Sequence, residues 1–142
     1  MQIETILQSK GRTVHTVAAS APIAEAVRIL NSHRIGAVVV VGADGGVAGI
    51  LSERDIVRRL GGDPLALLAA PVQSAMTSNV ITTDRTASVS ELMELMTRHR
   101  IRHMPIVEAG KLVGIVSIGD VVKRKIEETE QEAIALREYI AS

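Results

Sequence analysis

The chain has 142 residues, 46% hydrophobic and 23% charged, and its sixteen basic and sixteen acidic side chains cancel. That length suits one domain or two very small units sharing a core, and the cancelled charge gives no pull toward nucleic acid or an anionic membrane. Tyr139 is the one aromatic residue and cysteine is absent, which excludes base-stacking platforms, disulfides, thiolate chemistry and cysteine-held metals.

The lead-in over 1–13, MQIETILQSKGR followed by Thr13, lacks the charged-then-apolar layout of a signal peptide. The longest apolar runs, Ile35–Val41 and Leu65–Val72, are too short to span a bilayer. A cytoplasmic protein is therefore expected. A first unit over 14–60 begins with a short extended piece, Val14–Val17. A helix follows with Pro22 near its first turn and apolar residues at helical spacing, Ile23, Ala26, Val27 and Leu30. Two strands, GAVVVV and VAGIL, flank the Gly-rich turn GADGG at 42–46, and a second helix opens at Ser52. The connector over 61–79 carries Gly, Pro and Ser at its edges and an apolar middle, so it is expected to pack.

The second unit, 80–125, repeats the layout: Val80–Thr83 extended, a helix capped by Thr86 or Ser88 with Val89, Leu92, Met93 and Met96 along one side, strands MPIV and LVGIV, and a second helix opening at Ser117. Sliding the chain by 66 brings His33-Arg34-Ile35 onto His99-Arg100-Ile101 and Val40-Val41 onto Ile106-Val107. After the turn the offset drops to 65, because the second turn is shortened around Ala109-Gly110. A C-terminal helix occupies 126–142, with Ile126, Ala133, Leu136 and Ile140 roughly on one side, free to meet a second chain or fold back. The expected fold is α/β (α+β): two tandem β-α-β-β-α repeats packed face to face as a pseudo-two-fold pair, since one copy alone is too small to bury its sheet.

Each copy closes with the same heptad, GILSERD at 49–55 and GIVSIGD at 114–120. Ser-x-x-Asp ahead of an apolar helix is a capping box in which each side chain satisfies an orphan backbone N–H. The same geometry also suits a nucleotide. A helix start offers N–H groups and partial positive charge to phosphate, an Asp beside it suits two ribose hydroxyls, and Gly49 and Gly114 let a ligand approach the backbone.

The duplication, with Gly-aliphatic-aliphatic-Ser-x-x-Asp ending each copy, resembles the CBS domain pair, or Bateman module, over about Val14 to Lys125. The resemblance implies a non-enzymatic regulatory module that binds an adenosine-containing nucleotide between its copies. It places Asp55 and Asp120 on ribose hydroxyls and Ser52 and Ser117 near phosphate or ribose. In the stretch RHMPIV, Arg102 and His103 would reach phosphate and Met104-Pro105 would line the base pocket. Backbone at Val80–Thr82 would read the adenine edge, with His15-Thr16 the match in copy one; Arg54 is either a further phosphate contact or a solvated helix residue. Because copy one has Gly36-Ala37 where copy two has Arg102-His103, the site built on Ser117 and Asp120 is expected to be the better equipped, and Lys10 would add a charge for a longer ligand.

The implied ligand is AMP, ADP or ATP, with NAD or NADH as the alternative. S-adenosylmethionine is disfavoured because Arg102 and His103 would face its sulfonium. The resemblance also implies a homodimer and an unidentified regulated protein as partners. Two other readings stand beside it: a protein–protein module with empty clefts, and a nucleotide-using enzyme with His103 as its base. His99 and His103, four apart, lack a third metal ligand, so no metal is expected.

Overall fold

A computed structural model describes all 142 residues. The lead-in forms helix α1 (Ile3–Lys10), which buries Ile3, Ile6 and Leu7. Repeat one then runs β1 (Thr16–Ala18), α2 (Ile23–His33), β2 (Ala37–Val41), β3 (Val47–Ser52) and α3 (Glu53–Arg59). The connector contributes α4 (Pro64–Ala69) and one short 3-10 turn, Val72–Ser74. Repeat two contains α5 (Val89–His99), β4 (His103–Glu108), β5 (Lys111–Ser117) and α6 (Ile118–Ala141). No helix is long and apolar enough to cross a membrane.

The two sheets are unequal. In repeat one β1 lies parallel to β2, and β2 antiparallel to β3, giving the order β1-β2-β3. The run Ala37–Val40 is buried throughout, as expected of a central strand covered on both faces. In repeat two β4 and β5 pair alone. The extended piece expected at Val80–Thr83 is reduced to a parallel bridge from Thr83 to Ile106, and it belongs to no strand. Asp84 explains the early departure: its carboxylate accepts from the Thr86 and Ala87 amides, turning the chain over residues 84–87, directly ahead of the cap of helix α5. Ser88 rather than Thr86 is that cap, its hydroxyl accepting from the Glu91 amide.

Both first helices end on a left-handed arginine, Arg34 at φ 52° and Arg100 at φ 53°, so the duplication extends to an unfavourable backbone conformation. The second hairpin turns on Ala109 and Gly110, both at positive φ, the geometry a two-residue loop needs to match strand twist.

Face-to-face packing of the two sheets is not what completes the cores. One cluster joins repeat one to Val72 and Ala75 of the connector; the other joins repeat two to Ile3, Ile6 and Leu7 of α1. Each sheet is sealed by the segment that leads into the other repeat. The two heptad glycines serve this arrangement. A Cβ on Gly49 would sit 2.6 Å from Met76 Sδ and 2.7 Å from the Thr77 carbonyl oxygen, and one on Gly114 would sit 2.6 Å from Leu7 Cδ2. The close neighbours are protein, not the ligand that the sequence suggested.

The connector packs, as its apolar middle implied: Val72 and Ala75 are buried and Leu67, Leu68 and Met76 lie against the same core. At the other end α6 is one unbroken helix of 24 residues. The second helix of repeat two and the C-terminal helix are therefore a single element.

Candidate functional site

Two clefts lie where the repeats meet. The first encloses about 260 Å³ and is lined by Ser52, Glu53, Arg54, Asp55 and Arg58 from α3 and its cap, by Thr77 and Asn79 from the connector, by Val80 and Ile81 from the start of repeat two, and by Gly36, Ile50 and Arg100–His103. The second holds Ser117 and Asp120 from α6 with Lys10, Thr13, His15, Arg34–Ala37, His103 and Ile115. The lead-in strand regions cross over: Val80 and Arg102 of repeat two face the heptad of repeat one, and His15 of repeat one faces the heptad of repeat two. This separates residues that the sequence had grouped. Arg102 belongs with Ser52 and Asp55, not with Ser117 and Asp120, because β4 runs antiparallel to β5 and delivers its first residues across the interface.

Both Ser-Asp pairs are complete capping boxes. The Asp55 amide donates to Ser52 Oγ at 3.3 Å while Asp55 Oδ2 accepts from the Ser52 amide at 2.9 Å and from its hydroxyl at 3.0 Å. Asp120 Oδ2 likewise accepts from the Ser117 amide at 2.8 Å, and the Asp120 amide donates to Ser117 Oγ at 3.2 Å. In each case one carboxylate oxygen does the capping. Oδ1 of Asp55 and Oδ1 of Asp120 are both left for another donor, so capping and ligand binding are compatible roles for the same residue.

The clefts differ in how their carboxylates are used. Lys10, at the end of α1, donates to Asp120 Oδ2 at 2.6 Å and to the Ile115 carbonyl at 2.9 Å. Burial pushes the Asp120 carboxyl up, but the hydrogen bond from Lys10 and those from Ser117 outweigh it and hold the group below its ordinary value. Asp55 has no such internal cation. Instead the first cleft sets four guanidinium side chains, Arg54, Arg58, Arg100 and Arg102, against two carboxylates, Glu53 and Asp55.

His103 stands between the two, lining both clefts, with its ring 3.5 Å from where a Cβ on Gly36 would be. Burial, then the nearby Lys10 charge, push its imidazole below the ordinary value; Asp120 and Glu53 pull the other way, and Arg102 adds to the lowering. His15, beside the second cleft, stacks on His33 with ring centroids 3.7 Å apart.

Of the residues singled out from sequence, Ser52, Arg54, Asp55, Val80, Arg102 and His103 line the first cleft; His103, Ser117 and Asp120 line the second. Met104 and Pro105 line neither: both are buried, Met104 within the core of repeat two. Strand alternation accounts for Met104, since His103 faces the cleft and the next side chain must point inward; Pro105, on the same face of the strand as His103, is buried as well. Thr16 is exposed on β1, and Thr82 borders a separate shallow depression with Thr83–Thr86 and Val107–Gly110. Sequence reasoning missed Arg58 and Arg100. Arg100 was recoverable, because it is the repeat mate of Arg34 and immediately precedes the flagged Ile101–Arg102 stretch. No group of three or more His, Asp or Glu side chains is placed to hold a metal ion.

The family model of the CBS domain matches this sequence twice, over residues 11–62 and 72–127. The chain belongs to the CBS-domain family. It carries two CBS repeats, and both first-cleft arginine pairs, Arg54 with Arg58 and Arg100 with Arg102, fall inside the matched spans. The chain is similar to a mitochondrial CBS domain-containing protein, CBSX3, of Arabidopsis thaliana, with 33% identity over 97% of this chain and 71% of the relative. Among solved structures it resembles the CBS-domain containing protein ATU1752 from Agrobacterium tumefaciens, with a TM-score of 0.82 and 47% identity over 87% of this chain and 92% of that one. It also resembles the CBS domain pair of protein MJ0100 in complex with 5-methylthioadenosine and S-adenosyl-L-methionine. There the TM-score is 0.80 and the identity 26%, over 90% of this chain and 98% of that one.

Proposed function

We propose that this CBS pair is a regulatory, non-catalytic module that binds an adenine mononucleotide, AMP, ADP or ATP, in the first cleft, and that it works as a homodimer controlling a protein partner. The observation that carries the reading is the conjunction there of a carboxylate with a spare oxygen and four arginines. Asp55 Oδ1 suits the ribose diol, the guanidiniums suit phosphate, and Val80 and Ile81 offer backbone and apolar surface to the base. MJ0100 binds adenosine compounds, which supports the nucleoside half of the proposal. The arginine lining argues against the sulfonium of S-adenosylmethionine in this chain, since a cation would be placed among cations.

A volume of about 260 Å³ lies just below the usual range of ligand pockets, roughly 300–1,000 Å³, and favours a mononucleotide over NAD or NADH. Regulation follows only if a partner or the dimer distinguishes the filled cleft from the empty one. The test is a thermal-shift panel on nucleotide-stripped protein with AMP, ADP, ATP, NAD, NADH, S-adenosylmethionine and 5-methylthioadenosine. At a hundredfold over its dissociation constant, the right ligand adds about 2.7 kcal/mol, a rise of several degrees. Asp55→Ala and Arg102→Ala are expected to abolish the shift and Asp120→Ala to leave it. A response to NAD(H) alone would replace the ligand; flat curves throughout would leave the Ser-Asp pairs as helix caps in a protein–protein module.

A further inference from the structure

Helix α6 runs well past the body of the molecule. Val121 is its one buried residue, and every residue from Thr129 to Ser142 is exposed. A helix segment of that length has little stability on its own in water. Yet the sequence fills it with strong helix formers and gives it an apolar stripe. Val122, Ile126, Thr129, Ala133, Leu136 and Ile140 are spaced 4, 3, 4, 3 and 4 apart, the a/d pattern of a two-stranded coiled coil. At 100° per residue they fall within an arc of about 80°. Four of them are large and open to solvent: Val122 at 49%, Ile126 at 54%, Leu136 at 59% and Ile140 at 74%. Ile134, also exposed, lies off this stripe and takes no part.

We propose that this stripe is the seam of a parallel two-stranded coiled coil between two copies of this chain. The flanking charges choose both the partner and the direction. With Ile126 and Ala133 at a, the g positions are Lys125, Glu132 and Tyr139, and the e positions are Lys123, Glu130 and Arg137. In a parallel pair g meets the e that follows it by five, so Lys125 faces the partner subunit's Glu130 and Glu132 faces the partner subunit's Arg137. Two-fold symmetry repeats both, giving four attractive pairs. The antiparallel register that matches the same seam sets Val122 against the partner's Ile140 and Ile126 against the partner's Leu136. It then opposes Glu130 to Glu130, Glu132 to Glu132 and Lys123 to Arg137, all like charges. Lys125 already reaches Glu128 of its own chain at 3.6 Å, and the parallel pairing lets it exchange that exposed contact for one across the seam.

The seam covers about 27 Å, under three heptads, and Thr129 and Ala133 bury little. The association is therefore modest, and it assigns a surface to the homodimer proposed above. Sedimentation equilibrium on the full chain tests it. Leu136→Asp, exposed and so harmless to folding, is expected to weaken dimerisation at least tenfold, and Ala133→Ile to tighten it. Glu132→Lys weakens it and Glu132→Lys with Arg137→Glu restores it. The chain has no cysteine, so Ile140→Cys supplies a single thiol that oxidises to a linked dimer only if the helices run parallel. An unchanged dimer in Leu136→Asp would overturn the seam while leaving a homodimer in place. Cross-linking only of a Val122→Cys variant to an Ile140→Cys variant would overturn the direction. A monomeric wild type at all concentrations would remove the seam and the homodimer together, without touching the nucleotide reading, which the thermal-shift panel scores separately.

Discussion

His103 faces both clefts, and its protonation ties pH to stability and to binding in opposite senses. In the free protein, burial and Lys10 keep its imidazole below the ordinary 6.5 while Asp120 and Glu53 only partly compensate. Below 6.5 the unfolded chain takes up a proton that the folded chain resists, so stability contributed above that pH is lost as pH falls. A phosphate in the first cleft reverses the preference, because an anion nearby favours the imidazolium. The melting midpoint of the free protein is therefore expected to drop between pH 7.5 and 6 while affinity for an adenine nucleotide rises. His103→Gln should flatten the part of each trend that belongs to this residue. Identical pH profiles for wild type and His103→Gln would reject the assignment. His103 was legible in the sequence because it stands in a repeat next to Arg102. Its position between two clefts was not, since one chain's residue order does not say which repeat's strand faces which repeat's helix.

At the level of elements, the helices were legible because an apolar residue every three or four positions leaves few alternatives, and the Ser52 and Ser117 caps marked their starts. What escaped was long-range. The lead-in strand of repeat two gave way to a turn that Asp84 holds, and α1 and the connector exchanged places to seal each other's sheets. The two glycines carry the trace of that exchange, and they are not equivalent. Alanine at Gly49 would press on a backbone oxygen at 2.7 Å as well as on Met76, whereas at Gly114 it would press on the end of the Leu7 side chain. A backbone held by the Ile50–Thr77 hydrogen bonds cannot retreat as a leucine rotamer can. Gly49→Ala is expected to cost about 1–3 kcal/mol, in the range of overpacked cores. Gly114→Ala should cost under about 1 kcal/mol, since a small shift of Leu7 suffices and the unfolded chain loses freedom. Urea denaturation of both variants measures the difference; equal losses would mean that α1 is as rigidly docked as the connector.

The whole molecule is a duplication whose symmetry is broken at its two clefts, and Lys10 breaks it most directly. The corresponding carboxylates, Asp55 and Asp120, both cap their helices through Oδ2 and leave Oδ1 unbonded, but Asp55 faces an arginine-lined cleft whereas Oδ2 of Asp120 also carries an ammonium 2.6 Å away. A ribose at Asp120 would have to share the carboxylate with that ammonium or displace it, and on displacement the Ile115 carbonyl would lose its donor too. The pair is partly exposed, so screening makes the contact modest in energy. On the nucleotide-binding reading proposed above, it would control occupancy rather than fold stability. Isothermal titration of the wild type with the nucleotide picked out by the thermal-shift panel is expected to give one site per chain. Lys10→Ala should give two, the second weaker because only Arg34, His15 and His103 remain there to face phosphate. Asp55→Ala in the Lys10→Ala background should then leave one site, at the second cleft. Two sites in the wild type with one lost on Lys10→Ala would mean the opposite role: Lys10 would leave Asp120 on ligand arrival and bind the phosphate itself. In that case the N-terminal helix, whose Leu7 seals the repeat-two sheet, would move with the ligand and carry the signal.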